Sequence, residues 1–156
     1  MPVDPRLWGS ALLVAAVLAG CGPAPPPAAS SKTDPTEEAW YGKAVAQLAD
    51  MNRQARGLLE RGKADEAASV ITAGEPWATR VLSVPRPTLA AMEAASDLDD
   101  LYAHMLLDNH NYGWARMLFQ KNLARWKNWK QQTDDTERRR KLAANAIAEC
   151  DRRMAQ

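Results

Sequence analysis

The chain has 156 residues and two cysteines, enough for one domain with a modest core and too few cysteines for a disulfide framework. Its net charge of +1 hides an asymmetry: Cys21 to Gln120 carries nine Lys/Arg against thirteen Asp/Glu, and Lys121 to Gln156 ten against five, so the last quarter is the basic end. Six of the ten aromatics are Trp, which supply large rings with one hydrogen-bond donor each. In chain order the first element is LWGSALLVAAVL, residues 7–18. Its apolar length of about 12 is that of a signal-peptide core and well short of the roughly 20 that a spanning helix requires.

Directly behind it stands Leu18-Ala19-Gly20-Cys21. This quartet resembles the lipobox of bacterial lipoproteins. The resemblance implies a signal peptide over 1–20, a diacylglyceryl group on the Cys21 thiol, and cleavage that leaves Cys21 as the mature N-terminus. Gly22 follows, where Asp resembles an inner-membrane retention signal, so the outer membrane is the favoured location for a domain facing periplasm or exterior. On these grounds the chain contacts a membrane through its lipid and, being exported, is not expected to meet nucleic acid. Residues 22–33, GPAPPPAASSKT, hold four prolines and no large apolar side chain. Residues 21–33 thus read as a lipidated cysteine and tether, reaching at most roughly 37 Å at about 3.1 Å per residue.

The remainder, 34–156, is expected to be all-α, built from antiparallel helix hairpins as a repeat-like array or a small bundle. Asp34, Pro35 and Glu37 form a capping signal, and Trp40, Ala44, Leu48, Met51, Ala55 and Leu58 recur at helical spacing up to a stop near Gly62. A second helix spans about 63–73, with Ala67, Val70 and Ile71 on its face and Gly74 as terminator. Pro76, Pro85 and Pro87 bracket WATRVLSV, a brief helix or irregular link. Helix resumes near Thr88, with Leu89, Met92, Ala95, Leu98, Tyr102 and Met105, and Asp108 to Asn111 reads as a tight turn. From Tyr112, the core face is expected at Ala115, Phe119, Leu123 and Trp126. A last helix, capped by Thr133 and Asp134, presents Leu142, Ala146, Cys150 and Met154.

A shift of 48 superposes Ala55, Leu58, Ala67 and Ile71 on Ala103, Leu106, Ala115 and Phe119. This pattern is similar to tetratricopeptide-type hairpins, in which small residues let paired helices approach and large ones fill the gap between them.

Motifs of catalysis are missing. His104, Asp108 and His110 lack the spacing of a zinc site, and the carboxylate pairs Glu37/Glu38 and Asp65/Glu66 sit at helix starts, where the macrodipole accounts for them. Asp99/Asp100 is a third pair, with no apolar pocket legible around it. The chain is therefore expected to be no enzyme and to need no metal or cofactor. Cys150 has two readings: a buried inert thiol, or an intermolecular disulfide making a homodimer, which an exported compartment permits. On the fourth long helix a second stripe, Trp114, Leu118, Arg125 and Trp129, lies off the core face, and RWKNWK adds Lys127 and Lys130. Either the last helix covers this stripe, or part of it stays open to bind a partner, Trp and Arg being the residue types that dominate interface energetics. The expected function is a lipid-anchored adaptor or scaffold for an envelope protein. The alternative is a module whose Trp/basic face meets lipid headgroups or cell-wall polymer.

Overall fold

Residues 34–156 are those the structure, a computed structural model, describes; the expected signal peptide, Cys21 and tether lie outside them. They form a single 3-10 turn, Pro35–Glu37, followed by α1 (Ala39–Glu60), α2 (Ala64–Leu82), α3 (Leu89–Asp108), α4 (Tyr112–Asn128) and α5 (Asp134–Met154), with no strand among them. None of these helices is long and apolar enough to cross a membrane. Each packs on its neighbour in sequence, and α1 also packs on α3.

The two hairpins repeat one local design. Leu58 O accepts from Lys63 N and Leu59 O from Gly62 N at 3.0 and 2.9 Å, while 48 residues later Leu106 O accepts from Asn111 N and Leu107 O from His110 N at 2.8 and 3.1 Å. This is the paired bond of a Schellman ending. The left-handed residue it needs is Gly62 (φ 73°) in one turn and His110 (φ 60°) in the other. The aligned pairs Ala55/Ala103, Ala67/Ala115 and Ile71/Phe119 are all buried.

Two apolar clusters result, sharing α3. Tyr41, Leu48, Leu58, Ile71, Val81, Ala95 and Leu98 belong to the first. Ala103, Ala115, Phe119 and Cys150 form the second, with Leu106, Leu107, Leu118, Ala146 and Ile147 against it. Buried Tyr41 also fixes the entry to α3, because its hydroxyl accepts from Thr88 N at 3.0 Å, just where Thr88 caps that helix.

Four local expectations are corrected. Asp34 caps the 3-10 turn, and α1 begins after it at Ala39. Gly74 does not end α2, which runs on through Pro76 to Leu82. A Cβ on Gly74 would stand 3.0 Å from both Leu98 methyls, so this glycine serves close packing, and burial of Val81 beyond it offsets the hydrogen bond lost at Pro76. On α4 the third core position is Asn122, with Leu123 only partly buried. The Asn122 amide is satisfied by donating to Ser96 O at 2.9 Å, which makes its burial tolerable. On α5 the buried residues are Thr136, Ala143 and Cys150, seven apart, while Leu142 and Met154 are exposed.

Candidate functional site: a groove across α1, α3 and α5

Asp97, Asp99 and Asp100 follow one another on α3 but serve different neighbours. Asp99 faces α4: it accepts from Lys121 Nζ at 3.1 Å and pairs with Arg125, whose guanidinium also reaches Asn122 Oδ1 at 2.9 Å and Ala95 O at 3.3 Å. Arg125 is thus spent on holding α4 to α3. Asp97 and Asp100, three residues apart and so on one side of the helix, face the other way, toward α1 and α5. Arg139 bridges Asp97 and Asp135 at 2.6 and 2.7 Å and lies over the Trp126 ring, 5.3 Å from its centroid.

Around this pairing opens a polar cavity of about 290 Å³, lined by Arg56 of α1, Ser96, Asp97 and Asp100 of α3, Asn122 and Trp126 of α4, and Arg138, Arg139, Leu142 and Ala143 of α5. A second cavity of about 420 Å³ shares Arg56, Asp97 and Arg139 with it and continues along Gly42, Val45, Ala46 and Ala49 of α1 and Ala90, Glu93 and Ala94 of α3. One groove therefore has a polar end and a smooth end. The smooth end carries small side chains at Gly42, Ala46, Ala49, Ala90 and Ala94, which let a ligand backbone come close, with Asn52, Arg53 and Glu93 beside them. At the polar end, burial raises the Asp100 carboxyl above its ordinary value, against an opposing pull from His104. His104 Nδ1 lies 3.5 Å from Asp100 Oδ2. Asp135 is held below the ordinary range by hydrogen bonds from Arg139 and Arg138.

The residues singled out on α4 are not drawn into one surface. Trp114 is 64% exposed. Leu118 and Arg125 line a separate cleft of about 500 Å³ between α2 and α4, floored by Leu98 and Asp99. Trp129 lies beyond the end of α4, partly buried, with its indole N–H enclosed and without a partner. Lys127 and Lys130 are exposed and make no ion pair among the described residues. Cys150 is fully buried in the second cluster, and burial raises its thiol pKa. His104 and His110 take separate partners, Asp100 O at 2.9 Å and the Tyr112 hydroxyl at 2.6 Å.

Arg56, Ser96, Asp97 and Leu142 were missed by sequence reasoning. The three-residue step from Asp97 to Asp100 was a usable signal for a shared face; nothing in the sequence linked that face to Arg56, 41 positions earlier. Comparison with protein-family models, with curated proteins and with solved structures finds no match to this chain.

Proposed function

We propose that this protein is a lipid-anchored, non-enzymatic adaptor of the bacterial cell envelope, tethered through Cys21 and receiving an extended segment of a partner protein in the groove across α1, α3 and α5. The groove is the observation that carries the reading. From Gly42 to Arg56 it follows about 21 Å of helix at 1.5 Å per residue, room for about six residues of extended chain. Two hairpins with matching turns, followed by the strongly charged α5, support a tetratricopeptide-like array closed by a polar helix. The lipobox resemblance and the Pro-rich tether support envelope location, the outer membrane being favoured.

A photocrosslinking residue at Ala46, exposed in the smooth end of the groove, should yield one discrete protein adduct in intact cells. The same residue at exposed Ala124 on α4 should not. Absence of an adduct at Ala46, or equal adducts at both positions, would remove the adaptor reading. The exposed Lys127 and Lys130 beside Trp129, without an ion pair among the described residues, favour a second reading, contact with anionic headgroups or cell-wall polymer. Salt-sensitive sedimentation of the Cys21→Ser chain with anionic liposomes, lost on Lys127→Glu/Lys130→Glu, would support that reading instead.

A further inference from the structure

The polar end of the groove contains three groups whose bonding capacity the described residues do not fill. Arg56, an exposed residue that lines the 290 Å³ cavity, makes no ion pair and no hydrogen bond among the described residues. The Asp100 carboxylate, half exposed, meets among the described residues only the His104 imidazole at 3.5 Å. The Ser96 hydroxyl, on a residue only 2% exposed at the cavity floor, has no partner among the described residues. Asp97 and Arg139, by contrast, are joined by a 2.6 Å bond, and Arg139 is held on its other side by Asp135. The lining alternates in sign: Asp97 and Asp100 oppose a simple anion, and the guanidinium groups oppose a simple cation. A ligand carrying both charges satisfies both. The cavity lies at the low end of the roughly 300–1,000 Å³ of small-molecule sites, and the exposed Leu142 supplies one apolar wall.

We propose that this cavity binds a small zwitterion with ammonium and carboxylate on the same carbon, the chemistry of an α-amino acid centre. Its carboxylate rests on Arg56, its ammonium on Asp100, and its apolar remainder against Leu142. The charge-assisted bonds to Arg56 and Asp100 supply orientation, and Ser96 offers a further donor. The inference does not rest on the adaptor reading, because it needs only the polar end of the groove and its test uses the chain with no partner protein present.

Calorimetric titration of the full chain in detergent tests it. The probes are leucine, a free zwitterion; Nε-acetyl-lysine, the same centre at the end of a longer arm; and leucinamide and N-acetyl-leucine, each lacking one charge. At least one zwitterion should bind, with each single-charge analogue about tenfold weaker or more. Arg56→Gln and Asp100→Asn should each weaken the zwitterion by about tenfold while the circular dichroism melt is retained. Binding of leucine alone identifies a free amino acid as the source, and preference for Nε-acetyl-lysine a centre carried on a larger molecule; both uphold the proposal. No binding of either zwitterion at about 10 mM, equal binding of the single-charge analogues, or unchanged binding by both folded variants overturns it.

Discussion

Gly62 and His110 hold the same place in two turns with the same hydrogen bonds, and only one of them suits the backbone it adopts. A side chain in the left-handed region meets its own carbonyl, so Gly62→Ala should cost about 1 kcal/mol in a denaturant titration. His110→Gly should do the reverse by a smaller amount, because it also loses the 2.6 Å bond to Tyr112. Asp99 is a more consequential residue. Removing it strands Arg125 in a largely enclosed position, with both side chains only 12% exposed. Asp99→Ala should therefore cost about 3–5 kcal/mol, whereas exposed Arg53 paired with Asp50 should yield on substitution less than about 1 kcal/mol. Sequence reasoning read Arg125 as a candidate binding residue because it shares a stripe with Trp114 and Leu118. That Asp99 would meet it from another helix is tertiary information.

At the scale of the helix, α2 and α5 show where sequence reading fails. Gly74 followed by Pro76 is a strong stop signal, and local propensity does favour an end there. The helix continues because Leu98 occupies the space a side chain would take, and Val81 is buried beyond. In α5 the expected stripe starts from Leu142, the largest apolar residue of its middle turns, yet the buried stripe is Thr136, Ala143 and Cys150. Small side chains fit opposite a helix whose own face already presents Phe119 and Trp126. Leu142→Ala should therefore change stability by no more than about 0.5 kcal/mol. Ala143→Leu should cost about 1–3 kcal/mol by overpacking, and the reverse ranking in thermal melts would place α5 in the other register. The junction of α5 should also be acid-sensitive. Asp135 is held low by Arg139 and Arg138, so its stabilisation is present above the unfolded value near about 3.9 and lost as pH falls through the lower folded value. Melting temperature should fall below pH about 4, and less steeply in Asp135→Asn.

For the whole molecule, the all-helical class, the hairpin turns at Gly62 and Asp108 to Asn111, the helix start near Thr88, the Thr133 cap and the 48-residue correspondence were legible, because each depends on a few adjacent residues or one helical period. The groove was not: it is assembled from α1, α3 and α5, and what joins Arg56 to Asp97 and Arg139 is packing. The proposed anchor belongs to this scale too. Cys21→Ser should move the protein from the membrane to the soluble fraction and leave the N-terminal mass of an uncleaved or unlipidated chain; unchanged fractionation with unchanged mass would count against lipidation.

With Cys21 replaced, Cys150 is the last thiol of the chain, and it is wholly enclosed between α5 and the helices beneath it. A thiol reagent can reach it only when α5 lifts. Its modification rate is thus a clock for that partial opening. If reaction proceeds far faster than global unfolding permits, α5 detaches while the hairpins stay folded, and the wall of the groove that bears Arg138, Arg139 and Leu142 opens and closes on the same timescale.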